Sequence, residues 1–549
     1  MSLAAGFWAA LAALPLSPLL LLLTLIASIS FYRLYLSPLS HIPGPPFACV
    51  SSLFLYAICY WGIEGRILRY YHQRYKTPVL RIAPNSVSLS TAEALHPVYI
   101  AGGGLPKDAR YRNFRVEGHD TIFSTLGPAY RDLRAKAVLP LFAPSRIRAS
   151  CETGVCGQLI DKFVLALQTE RDRALRDGVA TGRKVDILDL SSRLSIDVLT
   201  GYLFHKTYGG LDEGGFSSSD STDTKSTQKL SATPFVLAIV AFSRFSLLPS
   251  WLFSIVFNLL MGPTLSKPDV AASLGTVARF ANSLLPTTTT SLTTRDNDTY
   301  QSRLLAAGVS PQETLIQCKA AMFAGADSTA VMLSTILFHL VRRPDVREKL
   351  NAELRDRHHT TTSVDYQSLP YLQAVIREGL RLGMANPTRL TRLVPAHNNN
   401  NNNSTGCTVS GVYLPPGTIV GAAAYVLHHD ASVFPRPFEF LPERWLLAGE
   451  GCAGDGDGDS QLKSRRRLKE SDMFPFGLGS RACLGRNLAS QQLYATVARV
   501  VQSGVLDGAV TCSEKIELVE WFNAEIRGHV LEIQWRGDGE GEGGYVLEK

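Results

Sequence analysis

The chain has 549 residues, 45% of them hydrophobic and 19% charged, which is ample for a large core and excludes a mostly disordered protein. The net charge of +7 is modest, and apart from a short run at 463–469 there is no dense Lys/Arg block. No nucleic-acid partner is expected; a basic docking face for an acidic protein or anionic lipid suits the charge better.

Residues 7–32 carry no charge and are dominated by leucine over 16–30, long enough to span a bilayer. No basic stretch precedes the span and no small-residue cleavage site follows it, which predicts a retained, single-pass anchor over 1–32. Pro15 and Pro18 predict a kink near its start. Arg33 is the first charge, followed by Arg66, Arg69, Arg74 and Lys76, so the remaining mass is expected on the cytosolic side.

A proline-rich hinge is expected over 33–46, one catalytic domain over 47–536, and a flexible tail over 537–549. Short β-like runs fall at 79–84 and 86–89, and from about 122 to 350 the apolar spacing is mainly helical. The apolar stretch 235–261, interrupted by Arg244 and Pro249, predicts a pair of helices dipping into the membrane surface. Polar, low-complexity runs at 217–226, 287–294, 398–403, 449–460 and 463–469 predict surface insertions. Nine scattered cysteines point to reduced thiols, not a disulfide framework.

The segment FPFGLGSRACLGRNLA at 474–489 carries the chemistry. Gly477 and Gly479 permit a tight turn, Cys483 follows, and a helix is predicted over 484–500. A cysteine at a helix start, with Arg481 two residues before it, is biased toward thiolate. The GxGxxG spacing of a dinucleotide loop is not met.

Phe476, Gly479, Arg481, Cys483 and Gly485 fill FxxGxRxCxG, and here the chain resembles the cytochrome P450 family. The resemblance implies a mainly α fold with a small β-rich subdomain, preceded by the transmembrane helix. It also implies haem b whose iron takes Cys483 as axial thiolate ligand, with 474–486 as the haem loop. Glu378 and Arg381 resemble the family's ExxR pair, and Arg444 in the run 438–445 would complete a structural Glu-Arg-Arg network. Glu170 and Arg173 share that spacing and are expected as a solvated surface pair. Residues 324–329 resemble the central-helix motif AGxDTT: Asp327 with Ser328 and Thr329 would deliver protons, and Ala324 and Gly325 would make room for O2. Ser328 stands where threonine is usual. Arg134, in a WxxxR-like run led by Tyr130, and Arg392 would pair with haem propionates.

The same resemblance, strongest to fungal microsomal members, implies a monooxygenase of the endoplasmic reticulum membrane. NADPH would act only through a separate NADPH–cytochrome P450 reductase, with cytochrome b5 as a further candidate donor and membrane lipid as a contact. Arg131, Arg134, Lys136 and Arg486 are the candidate docking charges. A lipophilic small-molecule substrate of secondary metabolism is expected, lining segments being 107–121, 235–260, 322–328, 386–390 and 521–523. A haem-thiolate isomerase or dehydratase, and a non-catalytic haem protein, are the alternatives.

Overall fold

The computed structural model describes residues 17–177, 184–213, 229–285, 298–358, 365–396, 406–446 and 472–535. The insertions expected at 217–226, 287–294, 398–403, 449–460 and 463–469, the tail from 537, and Pro15 lie outside them.

Helix α1 (Ser17–Phe31) runs on to Leu36; from Pro18 its mean hydropathy is 1.9 and none of it is buried by the rest of the chain. An exposed helix of leucines has no reason to form in water, and bilayer is the solvent that suits it. The chain then settles onto strand β1 (Val79–Ala83): Leu39 and Ile42 are buried, and Arg81 N donates to Pro43 O at 2.8 Å. The buried Arg81 guanidinium donates to Arg33 O at 2.8 Å, Ser37 Oγ at 3.3 Å and Pro84 O at 2.9 Å.

Strand β1 forms a hairpin with β2 (Ser86–Leu89), as the sequence predicts. Helices then dominate: α2 (Pro128–Val138), α3 (Val155–Asp177), α4 (Ile187–Phe204), α5 (Thr233–Phe242) and α6 (Ser250–Leu265). The apolar stretch near 235–261 is thus two helices, with Pro249 as the cap that starts the second. Trp251, Ile255, Leu259 and Leu260 on α6 are exposed. Glu170 and Arg173 depart from expectation. Glu170 is 3% exposed, and its ion pair with Arg173 at 2.8 Å is largely covered, because α3 lies inside the bundle.

Helix α7 (Pro311–Arg342) is the axis of the molecule, 32 residues and about 48 Å long. Ser310 caps it, accepting from Glu313 N at 3.2 Å, and Pro311 occupies the first turn, where its missing N–H costs nothing. It is apolar enough to cross a membrane, yet mostly buried by protein, which marks it as a core helix. Helix α4, buried along its whole length, packs against it. After α8 (Pro370–Leu382) come β3 (Arg392–Leu393) and β4 (Ile419–Ala422), which complete a four-stranded sheet in the order β1-β2-β4-β3. The β2–β4 pairing is parallel, and β3 adds antiparallel. Helix α9 (Arg486–Gln502) follows the cysteine loop, two residues later than its predicted start.

Candidate functional site

The cysteine loop is shaped by its glycines. Gly479 has φ +68°, and a Cβ there would lie 1.8 Å from Tyr99 O, so only glycine fits. Gly477 also needs positive φ (+69°), but a Cβ would have its nearest neighbour at 3.6 Å. Gly485 has φ −81° and room for a Cβ, so neither backbone conformation nor space confines that position to glycine. Cys483 N donates to Phe476 O at 2.9 Å and closes the loop.

Cys483 is surrounded by enough protein that burial pushes its thiol up, yet the residue itself is exposed, so it opens onto interior space. The backbone N–H groups of Gly485 and Arg486 and the Arg486 charge oppose that rise. The nearby cation is therefore Arg486, at the start of α9. Arg481 turns away and donates to Thr125 O and Leu126 O at 3.4 Å each.

The structure brings the Glu378 network together. Glu378 Oε1 accepts from Arg381 Nη2 at 2.7 Å, Arg444 Nε at 3.0 Å and Leu441 N at 3.0 Å. Oε2 accepts from Arg381 Nε at 2.9 Å and from Trp445 Nε1 at 2.9 Å. Burial raises the carboxyl pKa, but the two guanidinium ions and the Leu441 N–H outweigh it and hold Glu378 below the usual range. Arg381 Nη1 continues to His428 O at 2.9 Å and Pro437 O at 2.6 Å.

On α7, Ala324 is exposed midway along an otherwise buried helix, and Ser328 one turn on is half-buried. Ser328 Oγ donates to Ala324 O at 2.6 Å. Gly325 does not face the same space: its Cβ would meet Leu199 Cδ1 of α4 at 2.0 Å, so this glycine serves helix packing. Asp327 is buried, and burial with the Glu525 carboxylate pushes its pKa to about 7.

The arginines expected to meet propionates part company. Arg134 Nε pairs with Glu313 at 2.5 Å and its guanidinium stacks 3.4 Å from the Tyr130 ring centroid, so its charge is already answered from α7. Arg392 is buried beside Lys107, its bridge partner in β pairing. Lys107, missed in the sequence as a cation of this cluster, donates to Phe123 O at 2.5 Å. Burial, then Arg392, Arg481 and Arg131, hold Lys107 well below the usual lysine pKa. Arg392, Arg481 and Arg131 thus act together on Lys107, with Asp132, paired with Arg131 at 3.4 Å, the acid felt by Arg481, and this excess of positive charge suits an anionic group. Two propionate carboxylates fit that charge, and a sulfur opening onto interior space fits an iron ligand.

The five expected lining segments meet. Asn113 Nδ2 donates to Ser246 O at 2.9 Å and Leu248 O at 3.0 Å, and Phe235 packs edge-on against Phe323 at 5.1 Å. Phe114 lies 4.5 Å from Phe522, whose carbonyl accepts from Asn386 Nδ2 at 2.6 Å. Of the four docking charges, Lys136 and Arg486 are exposed; the side chains of Arg131 and Arg134 are each 12% exposed and largely covered.

A family model described as cytochrome P450 matches residues 42–503. A cytochrome P450 monooxygenase of Annulohypoxylon moriforme, mfmF, is 48% identical over 528 residues, 95% of this chain and 99% of that one. The N-acetyltryptophan 6-hydroxylase of Emericella nidulans is 28% identical over 548 residues, covering 95% and 98%. The trichothecene C-4 hydroxylase of Trichoderma arundinaceum is 26% identical over 502 residues, covering 88% and 90%. A glycine-shaped cysteine loop and a buried Glu-Arg-Arg network, set in a match of this extent, place the chain in the cytochrome P450 family, as a monooxygenase of the haem-thiolate type.

Proposed function

We propose that the protein hydroxylates or epoxidises a lipophilic small molecule in fungal secondary metabolism, taking electrons from a separate NADPH–cytochrome P450 reductase. The observation that carries this reading is the pairing of a sulfur that opens onto interior space with a central helix that leaves Ala324 exposed and Ser328 half-buried while burying Asp327. When bound, the haem supplies oxygen activation and the insertion of one oxygen atom.

The chain's own residues do the rest. Cys483 would hold the iron through sulfur, and Arg392 and Arg481 would hold the propionates by charge, with Lys107 buried beside them. Asp327, with a pKa near neutrality, carries a proton at its carboxyl oxygen, and the Ser328 and Thr329 hydroxyls are the groups beside it that pass one on. Serine at 328 keeps the hydroxyl without the methyl that stiffens its rotamer. The Phe114–Phe522 aromatic contact and Phe235–Phe323 give the substrate space an apolar lining.

The same reading places α1 in the endoplasmic reticulum membrane with the catalytic domain, from 47, on the cytosolic side. Trp251 and Leu259 of α6, and a cavity of about 350 Å³ lined by Leu53, Tyr60, Trp61 and Leu248, form an apolar face suited to the membrane surface. Lys136 and Arg486 remain as docking charges for the reductase.

The test is reconstitution in vesicles with a reductase and candidate terpenoid, polyketide or alkaloid substrates under isotopically labelled O2. A product carrying one labelled oxygen, formed only with NADPH and reductase, supports the reading. Turnover that persists without them, or an unlabelled product, rejects it in favour of an isomerase or dehydratase.

A further inference from the structure

The Glu378 network and the cysteine loop are far apart in sequence, and one side chain joins them. His428 is fully buried. Its Nδ1 lies 3.2 Å from Arg381 O, a carbonyl that only accepts, so Nδ1 carries the proton. Its Nε2 lies 3.1 Å from Phe474 N, a backbone donor, so Nε2 accepts. Two neighbours thus specify one neutral tautomer, and the imidazole is a rigid spacer between helix α8 and the first residue of the loop.

The link is reinforced on both sides. Arg381 Nη1 donates back to His428 O at 2.9 Å, so the two residues exchange hydrogen bonds. The His428 ring meets the Phe474 ring edge-on at 5.8 Å, and Phe474 also stacks on Tyr99 at 6.4 Å. From Phe474 the loop continues by its own bonds, Gly477 N to Phe474 O at 3.0 Å and Cys483 N to Phe476 O at 2.9 Å. Glu378, Arg381, His428, Phe474 and Cys483 therefore form one chain of contacts.

We propose that His428 is a positioning residue for the iron ligand, its Nε2 fixing the Phe474 end of the loop and thereby the placing of the Cys483 sulfur. This rests on Cys483 being that ligand. Phe474 is buried, and an N–H there that loses its acceptor costs enough for the loop to shift in search of another.

Two amide substitutions separate the two bonds of the ring. Asparagine carries its nitrogen near the Nδ1 position and keeps the donor to Arg381 O, but does not reach Phe474. Glutamine carries an oxygen near the Nε2 position and keeps the acceptor. In the holoenzyme, His428→Asn is expected to speed hydrogen exchange of the Phe474 amide by about tenfold and to move the reduced carbon monoxide complex toward the thiol-ligated Soret band. His428→Gln is expected to stay close to the parent in both.

Thiolate ligation and slow exchange retained in His428→Asn would overturn the proposal, as would equal loss in both variants. Should neither variant fold, the parent alone decides: Phe474 N–H must be strongly protected, and fast exchange there refutes the bond. A parent protein without the thiolate Soret band would instead refute Cys483 as ligand, which the exchange of Phe474 reads independently.

Discussion

Trp445 donates its indole N–H to Glu378 Oε2 at 2.9 Å, so the fully buried carboxylate is held from two sides, by its own i+3 arginine on α8 and by the 441–445 turn. Glu378→Gln removes the negative charge from between two buried guanidinium ions and is expected to destabilise the fold by about 3–5 kcal/mol. Trp445→Phe removes one donor and is expected to lose about 1–2 kcal/mol. Denaturant unfolding of the three proteins checks the order.

Gly477 and Gly479 share a backbone conformation but not an environment, which makes them a matched pair. Gly477→Ala meets only the left-handed backbone penalty, about 1–2 kcal/mol, and is expected to keep haem. Gly479→Ala adds a clash with the Tyr99 carbonyl and is expected to lose haem incorporation. Pyridine haemochrome content per protein distinguishes them.

Gly325→Ala is expected to destabilise by about 1–3 kcal/mol through overpacking against Leu199. Combined with Leu199→Ala, the losses should fall short of additive by at least about 0.5 kcal/mol, since the smaller neighbour makes room for the new methyl. Additive thermal and chemical unfolding data would show that the two helices do not meet at this point.

Asp327 has its pKa raised from 3.8 to about 7 by burial, with Glu525 adding to the shift. The folded state therefore keeps a proton that the unfolded chain releases between pH of about 4 and 7, and Asp327 lowers stability progressively as pH rises through that window. Asp327→Asn is expected to be more stable than the parent above pH 7, on the order of a few kcal/mol, with the difference vanishing near pH 4. Its turnover should fall, because the amide does not release and regain a proton near neutral pH. Unfolding at several pH values, with product formation in parallel, checks both.

What the sequence discloses and what it hides follow from range. The FxxGxRxCxG run and the Glu378/Arg381 pair are local, their spacing dictated by one turn and one helical period, so they are readable without coordinates. The α5–α6 break at Pro249 is readable for the same reason. By contrast, Arg134 is claimed by Glu313 from 179 positions away, and no local pattern announces that pairing. Glu170 and Arg173 show the converse: identical spacing to Glu378 and Arg381, but burial set by which face of α3 the bundle covers. Lys107 and His428 carry no signal in the sequence because their partners are backbone atoms, which every residue possesses and no motif marks.

The seating of the segment after the membrane helix decides where the protein can be cut. Arg81 is 1% exposed and spends one Nη1 donor on the carbonyl of Arg33 and one Nη2 donor on the hydroxyl of Ser37. A soluble version that begins at or before Arg33 keeps both acceptors. Truncation at the Pro-Gly-Pro-Pro run would strip both away and leave Pro84 O as the one acceptor of the three that remains, so the residues that look like a disposable tether belong to the folded domain.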